Sequence, residues 1–212
     1  MKLYYIPAAC SLSPHIVLNE LGIDVTLIKV DNKKQTTELG DSYHNVNELG
    51  YVPVLELDDG TFLREGAVIV QYLADQKPEL GLAPANGTMD RYRLQEWLSF
   101  LTSEIHKGFI PLLYAGLAGK YVNTAKPKLE QRFAWINEQL ADRQFLMGDT
   151  FTVVDAYLFA LIGWGQASWL KSYYQADIHF DGLKNLQAWY GRMYERPSVQ
   201  RALRAEKLER RT

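Results

Sequence analysis

A change of hydrophobic period near residue 80 restricts this chain more than any other feature. Before it, short apolar runs alternate with helical stretches; after it, only helical spacing recurs. Lys2 to Ile6 reads as a first strand. A loop from Pro7 to Ser13 leads into Pro14, which suits a helix's first turn, and Ile16, Val17 and Leu21 give a helix stopped at Gly22. Val25 to Val30 is a second, β-branched strand. After a polar segment that could be helical, Val52–Leu57 and Thr61–Leu63 flank Asp58-Asp59-Gly60 as a β-hairpin, and Ala67 to Ala74 closes the unit as a helix. This order needs one parallel crossover and one antiparallel hairpin, and so predicts a small α/β sheet.

Lys77 to Gly87 has two prolines and two glycines and reads as a linker, which divides the chain into residues 1–80, a linker at 81–87 and an all-helical domain over 88–212. In the second part Leu94, Leu98, Leu101, Ile105 and Leu112 recur at three- and four-residue spacing, as on one buried face of a long helix. Further helices are expected at residues 126–142, 153–168 and 183–194. Thr152 to Asp155 resembles a capping box, with Asp where Glu or Gln is commoner. Charge follows the same division. Residues 1–80 carry a net −6 and residues 81–212 a net +4, the positive surplus lying in a basic tail best read as a solvated helix.

Composition narrows the function. A net charge of −2 over 212 residues lacks the basic footprint of a nucleic-acid binder, and no apolar run is long enough for a membrane span. No sorting signal is visible, so a reducing cytoplasm is the expected location. The single cysteine, Cys10, excludes internal disulfides, CxxC pairs and cysteine-rich zinc sites, and His15, His44 and His179 have no ligand partners at metal spacing. No metal is expected.

The chemistry-bearing residues cluster at predicted element ends. Cys10 lies between a strand and a helix N-terminus, where free N–H groups favour a thiolate; a lone cysteine is otherwise most often an inert buried side chain. Pro53 precedes an apolar strand, as suits a strand's first position or a cis turn. Glu65 sits beside the free N–H groups of Gly66 and Ala67, a place for a ligand bearing both charge signs. On the long helix Ser99, Ser103, His106 and Lys107 form one polar stripe that could meet an anionic sulfur or carboxylate.

These pieces resemble a family. Lys2-Leu3-Tyr4-Tyr5, Ala9 to His15, Val52 to Gly60, Glu65-Gly66, Gln71 to Asp75 and Arg196 to Leu203 together look like a bacterial beta-class glutathione S-transferase. The resemblance implies a thioredoxin-like α/β amino-terminal domain, an all-helical carboxy-terminal domain, a homodimer, and glutathione as co-substrate. Carried over by position, Cys10 and His106 would face the glutathione sulfur, with Tyr5 and Ser11 close to it. Val52, cis Pro53, Glu65 and Gly66 would bind glutathione, and Ser103 and Lys107 would reach the partner subunit's copy. Ser99 and Gln35 fall at glutathione-contacting positions where the family more often has Asn and Lys, and Gly66 stands where Ser is commoner. The implied reaction is attack by the glutathione thiolate on a small hydrophobic electrophile, which would rest on Phe109, Leu113, Tyr114 and Trp164. A mixed disulfide between Cys10 and glutathione offers a second chemistry. The rival from another class is a non-catalytic ligand-binding or assembly module on the same fold.

Overall fold

The computed structural model describes residues 1–166 and 178–208. Five strands, β1 (Lys2–Tyr5), β2 (Thr26–Asp31), β3 (Thr36–Thr37), β4 (Val54–Glu56) and β5 (Phe62–Arg64), form one sheet in the order β3-β2-β1-β4-β5. β1 runs parallel to β2, with Leu3 opposite Leu27, and antiparallel to β4, with Leu3 opposite Leu55. Successive side chains of a strand point to opposite faces, so Leu3 joins the main core under α1 (Leu12–Leu21) and α2 (Gly66–Gln76), while Tyr4 joins Ile28, Val30, Tyr43 and Val54 on the other face. One parallel crossover and one hairpin flanked by helices make this a thioredoxin-like domain. The polar segment after β2, expected as a possible helix, supplies instead the two-residue β3 and a short 3-10 turn at Tyr43–Asn45.

The second part is helical: α3 (Met89–Phe100), α4 (Lys107–Leu113), α5 (Ala115–Ala118), α6 (Val122–Gln139), α7 (Val153–Gln166), α8 (Lys184–Glu195) and α9 (Pro197–Ala205). Residues 167 and 168 of the helix expected at 153–168 lie outside the described residues, as do residues 209–212 of the basic tail. Apart from Asp155 and the Tyr157 hydroxyl, α7 is apolar from Val153 to Trp164 and buried over that whole span, as suits a helix at the centre of a bundle. Between α3 and α4 the chain is wound more widely over Leu101–His106, and the Lys107 N–H reaches back five residues to the Thr102 carbonyl. One extra residue thereby enters the turn, a device found often at functional sites. Among the described residues no helix is long and apolar enough to cross a membrane.

The proline- and glycine-rich stretch is pinned at both ends. Arg91 on α3 grips Asp75 on α2 through two bonds of 2.8 and 2.9 Å and donates to the Pro84 carbonyl at 3.0 Å, while Leu82 is buried and its carbonyl accepts from the Val153 N–H at 3.0 Å. The capping motif also does more than end a helix. Asp155 is fully buried; its Oδ1 accepts from the Leu146 N–H and the Trp189 indole, both at 3.0 Å, and its Oδ2 from the Thr152 N–H and hydroxyl at 3.0 and 3.1 Å. Burial pushes this carboxyl's pKa up and the four donors oppose that shift. The tail helix α9 is not merely solvated. Its Val199, Ala202 and Leu203 are buried, and Glu206 just beyond it is buried against His15 of α1, 2.9 Å from Nδ1.

Candidate active site

The loop between β1 and α1 carries Cys10, and its shape is set by its neighbours. Ser11 is buried, its hydroxyl accepting from the Ile6 N–H at 3.2 Å and donating to the Ile6 carbonyl at 3.1 Å. Both of its capacities are thus used inside the loop. Ala8 adopts a left-handed φ of 64°; its N–H donates to Glu206 at 3.1 Å and its carbonyl accepts from the Trp164 indole at 2.9 Å. Two side chains of the helical domain therefore hold the cysteine loop from opposite sides.

Cys10 itself is buried, and its thiol donates to the Val52 carbonyl across 3.4 Å. Burial raises its pKa to about 12, the backbone N–H groups of Cys10 and Ser11 and the charge of Lys107 offsetting only part of that shift. The thiolate expected from the helix-end position is therefore not the resting state. Desolvation outweighs the helix end. Alkylation by iodoacetamide at pH 7 is expected to run at least about a thousandfold slower than for an ordinary cysteine and to accelerate with rising pH, since only the thiolate reacts. A rate at neutral pH equal to that of a free thiol would contradict this.

The Val52–Pro53 peptide is cis, and Pro53 is buried beside the start of α2. A Cβ built on Gly66 would meet Pro53 Cγ at 3.6 Å and Tyr157 Cε2 at 3.9 Å, ordinary contacts, so the spot has room for the serine commoner in related chains. Glu65, exposed, precedes the helix with φ 67° and ψ 112°, a conformation unfavourable for any residue with a Cβ. Its carbonyl accepts from Val68 and Ile69, both at 2.9 Å, and the first N–H groups of α2, those of Gly66 and Ala67, have no acceptor within the helix. A carboxylate and free amide donors thus stand together at one edge.

Across the seam, the widened turn presents His106 half-buried, whereas Ser99, Ser103 and Lys107 stay exposed. The His106 ring meets Trp164 edge-on at 4.8 Å, and its Nδ1 lies 2.8 Å from the Tyr157 hydroxyl. Burial, aided by the Lys107 charge, lowers its pKa to about 4, so the imidazole is neutral at physiological pH. Tyr157 belongs to this assembly and was not among the expected residues. Its place between Ala156 and the apolar run from Leu158 gave no polar signal, and its partner His106 is 51 residues away.

Several expected site residues are placed elsewhere. Phe109 is fully buried, packed against Phe133 and Trp164 at 5.9 and 5.8 Å, and is a core side chain. Trp164 is likewise buried, as a wall behind His106. Leu113 is half-buried and Tyr114 exposed, so both can meet a ligand. Gln35 has φ 53°, donates to the Asn32 carbonyl at 2.9 Å, and lies so close over Gly50 that a Cβ there would stand 2.5 Å from Gln35 Oε1. Its side chain closes its own loop, against the turn that leads to Val52. The Tyr5 ring packs tilted against His15 at 6.4 Å. Ser103 donates to the Ser99 carbonyl at 3.0 Å on the exposed face.

The chain can now be set beside known proteins. The family model for the glutathione S-transferase N-terminal domain matches residues 9–76, and that for the C-terminal domain matches residues 101–197. Glutathione S-transferase GstA of Escherichia coli O157:H7 is 44% identical over 209 residues, covering 99% of this chain and all of that protein. A sphingomonad glutathione S-transferase, solved in complex with glutathione, is 41% identical with a TM-score of 0.90, covering 99% of this chain and 100% of the other. A beta-class glutathione S-transferase of Sphingomonas chungbukensis is also 41% identical, at TM-score 0.89 over the same shares of the two chains. By sequence and by structure, the chain belongs to the glutathione S-transferase family and falls with its bacterial beta-class members.

Proposed function

We propose that glutathione binds along the edge of the thioredoxin-like domain and that its ionised thiol attacks a small hydrophobic electrophile at the seam with the helical domain. One observation carries this reading. The strained Glu65, the free N–H groups of Gly66 and Ala67, the cis Pro53, Cys10 and the neutral His106 converge on one seam between the domains. Glu65 faces the γ-glutamyl ammonium and the two N–H groups its carboxylate. The Val52 backbone pairs with the cysteinyl unit, which brings the ligand's sulfur beside Cys10 and His106. A neutral imidazole N–H and the backbone N–H groups of the Cys10 loop then stabilise the sulfur anion, at about 1.4 kcal/mol for each unit of pKa lowering. Attack forms the carbon–sulfur bond as the leaving group departs with its electron pair. Leu113 and Tyr114 are the wall for the electrophile.

The protein is read as a homodimer, supported by the exposed Tyr51 and Val68 beside the site residues Val52 and Glu65. Exposed Ser99, Ser103 and Lys107 then face the partner's glutathione. A reducing cytoplasm suits its lone thiol. The high pKa of Cys10 favours conjugation over disulfide exchange as the main chemistry. Calorimetric titration with glutathione is expected to give saturable heat, and an aryl halide is expected to be conjugated. Cys10→Ala is expected to keep conjugation within about tenfold of the parent, about 1.4 kcal/mol, and to lose the mixed disulfide that Cys10 forms by exchange with glutathione disulfide, one glutathione thiol leaving, as detected by intact mass. Absence of any glutathione heat sinks the proposal.

A further inference from the structure

We propose that Asn47 and Tyr43 are positioning residues for glutathione: together they hold the Tyr51 carbonyl inward and so aim the free Val52 N–H at the cysteinyl carbonyl of the ligand. The inference deepens the reading above and rests on its pairing of Val52 with the cysteinyl unit.

The Tyr51 carbonyl accepts from the Asn47 amide at 2.7 Å and from the Tyr43 hydroxyl at 2.8 Å. Both donors are buried, although the Tyr51 side chain is exposed. The direction of these bonds is fixed, because a carbonyl can only accept. The Asn47 amide cannot be turned over either: its Oδ1 accepts from the Leu49 N–H at 3.3 Å, which puts its NH2 on the Tyr51 side, and that NH2 also bonds the Tyr43 oxygen. The Asn47 backbone is held as well, its N–H donating to the Tyr43 carbonyl and its carbonyl accepting from Gly50, both at 2.9 Å. The Tyr51–Val52 peptide is trans, the cis bond being the next one. A trans peptide is one rigid plane whose N–H points opposite to its carbonyl. With the carbonyl held inward, the Val52 N–H faces away from Tyr43 and Asn47, and it has no acceptor among the described residues. The other half of Val52 tells which way that is. A residue before proline is kept extended, and an extended residue shows its N–H and its carbonyl to the same side. The Val52 carbonyl faces the Cys10 thiol at 3.4 Å. The free N–H therefore faces the Cys10 side of the seam, beside the place of the glutathione sulfur. Tyr43 does its part from the other face of the sheet, where its ring packs at 5.9 Å against Tyr4. Both side chains act through one peptide plane.

The test is NMR of the full-length protein labelled at tyrosine carbonyl carbon and valine nitrogen, combined with conjugation kinetics on an aryl halide. Only valines that follow a tyrosine, Val52 and Val122, then give a signal, and Val52→Ile identifies the first by removing it. In the parent, saturating glutathione is expected to shift the Val52 N–H and slow its exchange with solvent. Val122, whose N–H is already bonded within its own turn, is expected to stay unchanged. Asn47→Ala is expected to raise the KM for glutathione about tenfold, equivalent to about 1.4 kcal/mol, and Tyr43→Phe to raise it less. In both variants the effect falls on KM and not on kcat, and the glutathione-dependent shift of Val52 shrinks. A merely structural role would lower the melting temperature and the active fraction, and so kcat, without moving KM. A parent that binds glutathione by calorimetry yet leaves the Val52 N–H unshifted and unprotected overturns the proposal, and needs no variant to fold. So does a folded Tyr43→Phe or Asn47→Ala protein whose KM and Val52 signal match the parent. If glutathione gives the parent no heat at all, the binding reading falls first and this inference with it.

Discussion

Asp155→Ala is expected to destabilise the fold by about 3–5 kcal/mol, since several buried donors lose their acceptor at about 1–3 kcal/mol each, and so to lower the urea midpoint by about 1–2 M. The carboxylate gathers donors from three places in the chain: Leu146 in the turn before α7, Thr152 at its start, and Trp189 on α8. Removing it strands the Leu146 and Thr152 N–H groups and the Trp189 indole in the core, each worth about 1–3 kcal/mol when unmet. Asn is expected to rescue only partly, because its amide NH2 must face one pair of those donors. The glutathione affinity of whatever protein remains folded should not change, since the partners of Asp155 are Leu146, Thr152 and Trp189 and none of them is a site residue. A midpoint shift below about 0.5 M, about 1 kcal/mol at typical slopes, would show that the network is dispensable.

The second large effect concerns Glu65, where stability and binding are expected to move in opposite directions. Glu65→Gln keeps the shape and removes the charge, so the Kd for glutathione should rise about 10–100-fold, the loss of one charged hydrogen bond of about 1.5–3 kcal/mol. Glu65→Gly goes further. It is expected to lose binding at least as badly while raising the melting temperature of the ligand-free protein, because a φ of 67° with ψ 112° strains any side-chain-bearing residue and suits glycine. The strain relieved, of order 1–3 kcal/mol, exceeds the extra chain entropy of glycine, about 0.5–1 kcal/mol. A Glu65→Gly protein that melts below the parent would overturn the idea that the site holds this residue against its own preference.

Much of the fold was legible because its signals are periodic. Alternation marked β1, β2 and the hairpin; three- and four-residue spacing marked the long helices; Gly22 ended α1 as expected, with its N–H on the Leu18 carbonyl. The site was partly legible for a different reason. Cys10, Pro53, Glu65 and His106 sit at the ends or turns of elements, where residue type matters more than period. What the sequence hides shares a physical cause. The left-handed φ of Gln35 is one that no composition reveals, and Phe109, four residues after the buried Ile105, continues the core stripe beside Leu112. Tyr157 escaped notice because an apolar helix hides a hydroxyl whose role exists only across 51 residues. The thiol of Cys10 was misjudged because the helix-end position of a residue can be read from sequence, and its desolvation cannot.

The grip on Ala8 bears on how the chain comes into being. Its two clasps lie 156 and 198 residues downstream, at Trp164 and Glu206, so the reactive loop near the start is among the first segments to leave the ribosome and among the last to be fixed. Loops of that length close late, after local helices and hairpins have formed. A nascent or truncated chain can therefore own a finished sheet and still lack a set cysteine loop. The site matures only when α9 docks, so an abandoned translation product carries the residues of the enzyme without its geometry.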